Sequence, residues 1–187
     1  MGRIAAKQTY IPTLLRLFRQ FGYEGVTLAK ISQATGLGKA SLYHHFPGGK
    51  AEMAAAALAE VDLWLETSIL PILSSKVKPI EAFELMCQEV SLFFNKGEND
   101  CLWAVLLLEQ SSKNLFDSQI NRAFSRWIEA IANVLITAGA NEIAAIQRGE
   151  DAVITIQGAL ILCHGLKDFT PFQRVIKRLP QQLCQDI

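Results

Sequence analysis

Long apolar runs are missing from this sequence: no stretch approaches the about 18 uninterrupted apolar residues that a membrane-spanning helix needs. Nor does Met1–Pro12 hold an apolar signal core, since Arg3, Lys7 and Gln8 fall there in a helical pattern. A soluble, cytoplasmic protein with no membrane partner is expected. Histidine is scarce, at three residues, and the four cysteines, Cys87, Cys101, Cys163 and Cys184, show no CxxC spacing and no nearby histidine cluster. Neither a metal site nor a cofactor is expected. The thiols read as small apolar packing residues, with a redox or electrophile sensor at Cys101 as the alternative. There is also no Gly-rich phosphate loop, no HExxH and no paired acid and base, which argues against an enzyme. No alternating run of strand length occurs, so a sheet is not expected.

What is present is a chain of 187 residues, 50% hydrophobic and 19% charged, enough to fill a core and too apolar for disorder. Its zero net charge hides an asymmetry. The first fifty residues carry Arg3, Lys7, Arg16, Arg19, Lys30, Lys39 and Lys50 against Glu24 alone. The remainder is acidic by the same margin. A basic head on an acidic body suits a nucleic-acid-binding module joined to a domain that does not bind.

Helical period dominates the whole length, giving an all-α protein of about nine helices. The first runs from about Ile4 to Phe21, with Ile11, Leu14, Leu15, Phe18 and Phe21 on one stripe, and Gly22 stops it. Thr27 is an N-cap candidate for Leu28–Thr35, and a third short helix covers Lys39–Phe46. Pro47-Gly48-Gly49 breaks the chain before a long helix from Lys50 to about Leu70, which Pro71 ends. Further helices are expected over Ile80–Asn95 and Cys101–Gln110. After a polar break at Ser111–Asn114 comes a long helix ending at Gly139, then Ile143–Leu166 and about Pro171–Cys184.

The informative stretch is Thr27–Lys50, TLAKISQATGLGKASLYHHFPGGK. Two short helices joined by a three-residue, Gly-centred turn form a helix-turn-helix. Gly36 stands where the chain leaves the first helix with positive φ. Ser32 is small enough for the second helix to cross closely. Ile31, Leu37 and Leu42 form an apolar wedge over Leu15, Phe18 and Phe21. That packing turns Lys39, Ala40, Ser41, Tyr43 and His44 outward. Lys39 can reach guanine or phosphate, Ser41 either, and Tyr43 a phosphate through its hydroxyl. Thr27 and Lys50, each at a helix start, are phosphate clamps. His44 and His45 are adjacent on a helix and point in different directions, so no metal role is needed.

GLGKASLYHHFPGGK resembles the helix-turn-helix of the tetracycline-repressor (TetR) family, with Leu42, Tyr43, His45 and Phe46 matching its hallmark in order. FGYEGVTLAKIS fits the family's preceding pattern, with Ser32 where Ala is common. HHFPGGK is similar to the LmrA/YxaF subgroup. The resemblance is specific over about 45 residues and looser beyond. It implies a DNA-binding domain over 1–48, a ligand-binding and dimerisation domain over 49–187, and a homodimer joined through the last two helices.

The residues agree with a dimer independently: Ile154–Cys163 is apolar on too many sides for one intramolecular face. Two reading heads then imply a near-palindromic stretch of double-stranded DNA. A small-molecule inducer could lie among Trp64, Phe83, Met86, Cys87, Cys101, Trp103, Leu106 and Trp127, with Glu109 orienting its polar end. The same apolar side chains could equally form plain core. Ligand binding would tilt the helix from Lys50 and so release DNA from a repressor. An activator and a small-molecule carrier are the alternatives.

Overall fold

The computed structural model describes residues 7–185. The ten α-helices within them are α1 (Ile11–Gly25), α2 (Leu28–Thr35), α3 (Lys39–His45), α4 (Gly49–Trp64), α5 (Leu70–Leu73), α6 (Pro79–Phe93), α7 (Leu102–Leu108), α8 (Gln110–Thr137), α9 (Glu142–Leu166) and α10 (Thr170–Leu183). No strand occurs among the described residues, and the architecture is all-α. The expected start of the first helix at Ile4 lies outside the described residues.

The tenth helix arises at Pro71. The expected helix from Lys50 does not end there. A π-helical turn, Leu65–Ile69, follows α4 and leads into α5, with the Leu70 N–H donating to Leu65 O, five residues back. Proline lacks an N–H and its ring crowds the carbonyl four residues earlier. A widened turn immediately before Pro71 accommodates both defects. A second difference concerns Ser111–Asn114, expected as a break. The helix break falls at Glu109 instead, and Ser111 and Ser112 lie in the first turn of α8. The buried Ser112 hydroxyl donates to Leu106 O (2.5 Å) and Glu109 O (3.2 Å), satisfying two carbonyls at the end of α7.

The chain forms two compact units. One holds residues up to Leu63 together with Leu102–Ile120; the other holds Trp64–Cys101 and the residues from Asn121 onward. The 48/49 boundary read from the sequence falls inside the first unit. In that unit α1 packs on α2 and α7, and α2 on α3. Leu14, Phe18, Val26, Ile31 and Phe46 are fully enclosed, as are Met53, Ala57 and Leu58 of α4. Each large side chain so buried contributes about 1.5–3 kcal/mol. The α1 stripe is shifted from expectation: Leu14 and Leu17 are buried, Leu15 is half-buried and Phe21 is exposed. Phe21 instead lies beneath the Lys30 ammonium, 4.1 Å from the ring centre.

The second unit is centred on aromatic rings. Trp64 stacks on Phe93 (centroids 4.0 Å apart, 9° between planes) and meets Trp127 edge-on at 5.8 Å. Phe94 joins this cluster and carries it to Phe172 of α10. Helix α10 packs against α6 and α9. It continues past Pro180, which lies inside it.

Cys87 lies buried on α6, its thiol pushed up to about 12 by burial and, secondarily, by the Glu84 charge. The folded state therefore keeps a proton that the unfolded chain releases above the ordinary 9.0. Its contribution to stability is intact below pH 9 and is lost as pH rises from there toward 12. At pH 8, iodoacetamide is expected to leave Cys87 unmodified in the folded protein and to modify it fully in denaturant, as read by peptide mapping. Native modification at the rate of a free thiol would contradict this burial.

Candidate nucleic-acid interface

The helix-turn-helix is built from local hydrogen bonds. Thr27 is extended (φ −104°, ψ 157°), and its Oγ1 accepts from Lys30 N–H at 3.2 Å, capping α2. Gly36 closes α2 in the left-handed region (φ 73°), donating its N–H to Ser32 O at 2.9 Å. The Ser32 hydroxyl donates to Leu37 O at 2.5 Å, so the residue expected only to be small also ties the turn. Thr35 adds a second tie: its Oγ1 donates to Ile31 O and accepts from Leu37 N–H. Beneath these bonds Ile31 and Leu42 are buried as expected, and Leu37 is half-buried.

This packing presents one face of α3 to solvent. Lys39, Ala40, Ser41, Tyr43 and His44 are all exposed, Tyr43 to 41%. His45 instead turns inward against the Tyr10 ring at 5.3 Å, and Phe46 is buried. Lys39 occupies the first position of α3 with no acidic residue in that turn. A cation at a helix N-terminus opposes the helix dipole. That opposition is relieved when an anion such as a phosphate arrives between them.

The basic side chains of the head divide by role. Lys7 pairs with Glu52 at 2.6 Å, and Glu52 also accepts from Gly48 N–H at the start of α4. Lys30 donates to Gly25 O at 2.8 Å. Lys50, expected as a phosphate clamp, donates to Tyr23 O at 2.9 Å and lies over the Tyr23 ring. Lys30 and Lys50 thus cap the carbonyl end of α1. Thr27 is exposed beside its cap bond, with its hydroxyl proton still available to donate.

The nine residues expected to line a ligand site fall in both units. Phe83, Met86, Cys87, Cys101 and Trp127 are buried in the second and Trp64 is half-buried there. Trp103 and Leu106 are buried in the first, where the Trp103 indole donates to Asp62 Oδ1 at 3.1 Å. Glu109 accepts from Tyr23 N–H at 2.5 Å. Two neighbouring grooves of about 450 and 550 Å³ occur in the second unit, sharing Leu73, Ser74 and Asn133. Glu66 and Arg126, ion-paired to each other, border the first, and Lys76 and Thr137 border the second. None of the nine residues lines either groove. No group of side chains suited to hold a metal ion occurs among the described residues. No described helix is long and apolar enough to cross a membrane.

Comparison with known proteins places this geometry. Residues 79–178 match the family described as "Transcriptional regulator LmrA/YxaF-like, C-terminal domain", and residues 13–57 match "Bacterial regulatory proteins, tetR family". The chain is 26% identical to the HTH-type transcriptional regulator LmrA of Bacillus subtilis (strain 168), across 95% of this chain and 96% of that protein. A TetR transcriptional regulator from Chloroflexus aurantiacus J-10-FL shares the fold with a TM-score of 0.80 at 18% identity, covering 98% and 96% of the two chains. The regulator CifR, as a cysteine mutant complexed with 26-bp double-strand operator DNA, shares it with a TM-score of 0.73 at 17% identity, covering 92% and 94%.

The turn geometry makes a specific forecast. No heavy atom lies within 4 Å of where a Cβ at Gly36 would sit, so a substitution there meets only the backbone penalty. Gly36→Ala is expected to cost about 1–2 kcal/mol in urea unfolding, and Gly36→Asn less, because asparagine tolerates the left-handed region. Equal costs for the two would show that φ is not the constraint.

Proposed function

The chain belongs to the LmrA/YxaF-like group of TetR-family DNA-binding transcriptional regulators, and from that premise we propose that it represses transcription as a homodimer on a near-palindromic operator. In this reading residues 1–48 are the DNA-binding domain and residues 49–187 the dimerisation and ligand-binding domain. The observation that carries it is the solvent-facing set on α3. Lys39 and Ser41 would meet base edges or phosphate, Ala40 would allow close approach, and Tyr43 and His44 would reach the flanking backbone. Thr27 would donate to a phosphate from the start of α2. At Lys50 the clamp would come from the N-terminus of α4, because its ammonium is held by Tyr23 O. That CifR, a protein of the same fold, is complexed with operator DNA supports the DNA-binding reading.

Helix α9 supports the dimer. Ile156, Leu160 and Cys163 are buried, yet Ile143, Ile154, Ile161 and Leu166 on the same helix are 60–68% exposed. A row of exposed isoleucines over 25 residues is costly in water unless a second subunit covers it. Gly158, with open space around it, would let the partner helix approach closely. We place the interface on α9 and α10, the last two helices. A small apolar inducer would release the operator by repacking the helices around Trp64, Phe83, Met86, Cys87 and Trp127. The protein is read as a non-enzymatic, cytoplasmic regulator that needs no cofactor.

Selection of bound sites from a random DNA pool tests the reading. An enriched inverted repeat whose affinity falls steeply with salt is expected. Lys39→Ala should lower the salt slope by about one if it contacts phosphate, and Tyr43→Ala should cost about 1–3 kcal/mol. Ile154→Glu with Ile161→Glu should turn a sedimenting dimer into a monomer that binds weakly. A folded dimer that enriches no sequence at low salt would overturn the proposal.

A further inference from the structure

The four residues Gly22–Gly25, immediately ahead of the helix-turn-helix, are held from three directions within the first unit. Gly22 breaks α1 (φ 67°, ψ −179°), leaving Tyr23–Gly25 as a separate helical turn with its own free N–H groups. The Glu109 carboxylate, at the break between α7 and α8, accepts from Tyr23 N–H at 2.5 Å and from Glu24 N–H at 3.4 Å. In return Glu24 Oε1 accepts from Ser111 N–H at 3.3 Å, in the first turn of α8. The two helix starts therefore exchange carboxylates, each capping the other. A Cβ at Gly22 would fall on the Glu109 carboxyl group. Glycine is needed there both for its φ and for the room the carboxylate takes. Lys50 Nζ on Tyr23 O and Lys30 Nζ on Gly25 O tie the other end of the same turn to α4 and α2.

We propose that Glu24 and Glu109 are positioning residues that form a clasp, coupling the break between α7 and α8 to the placement of the reading helix α3. The proposal rests on the operator-binding reading above and deepens it. Glu109, expected from the sequence to meet a ligand, is engaged with the backbone of the head. A ligand need not touch it to act: movement of the break withdraws the one carboxylate that accepts from both Tyr23 and Glu24 N–H in the turn that leads into α2. By linkage, a state of the head selected by DNA must likewise favour one state of the break.

The test uses the full chain and its selected operator. Hydrogen exchange over residues 106–114 is followed with and without operator, in the unsubstituted protein, Glu109→Gln and Glu109→Ala. Operator is expected to slow exchange there about tenfold in the unsubstituted protein, less in Glu109→Gln and not in Glu109→Ala. Glu109→Ala should also bind operator about tenfold more weakly. If Glu109→Ala does not fold, Glu24→Gln takes its place, with the operator effect on 106–114 again expected to shrink. Operator binding without altered exchange at 106–114, or with an equal change in the substituted proteins, overturns the clasp and leaves DNA reading standing. A folded, unsubstituted protein that binds no operator overturns both.

Discussion

A helix-turn-helix can read DNA only if its second helix is held at a fixed angle to the first, and here that angle depends on one left-handed residue. Gly36 reverses the chain at φ 73° while still closing the last hydrogen bond of α2. Ser32 and Thr35 then lock the following residue from both sides. With the turn set, Ile31, Leu42, Phe46, Phe18 and Val26 are all buried. Only then do the polar side chains of α3 share one outward face. Removing the turn residue would leave every one of those side chains present and none of them aimed.

The same economy of backbone groups recurs at the ends of other helices. α1 leaves carbonyls at Tyr23 and Gly25, and two lysines from different helices take them. Tyr23 and Ser111 expose N–H groups, and two glutamates take those. Such charge-assisted caps are individually worth about 0.5–2 kcal/mol and are directional. They orient elements that apolar packing alone would leave free to slide. Part of the basic charge that marks the head is thus committed internally, while Lys39 on α3 faces solvent.

Much of this was legible in the sequence, and the failures share a physical cause. The helix-turn-helix, its cap at Thr27, its turn at Gly36 and its outward face follow from rules acting within about four residues. The apolar surplus of α9 was likewise visible as periodicity, and Ile154 and Ile161 are indeed left exposed. Leu14-Leu15 and Leu17-Phe18 defeat such reasoning, because adjacent apolar residues fit two stripes equally and only the packing chooses. Ser111–Asn114 looked like a break because the stretch is polar between two apolar ones. It does mark an end, but as the first turn of α8. The Glu24 and Glu109 exchange had no local signal, since its partners lie 85 residues apart. The aromatic residues read as a possible ligand wall, Trp64 and Trp127 among them, are spaced for a helix face in either role. In the folded chain Trp64 meets Trp127 edge-on, while Trp103 is buried in the other unit against Asp62.

The central claim is that two copies of α3 read DNA together, at a spacing set by the dimer. The most direct measurement compares affinity for the selected inverted repeat with affinity for the same half-sites moved apart by half a helical turn, about 5 bp. The account predicts that the shifted site binds no better than a single half-site, because the second reading helix then faces the wrong side of the duplex. Undiminished affinity for the shifted site would mean that the heads act independently, and would contradict the claim.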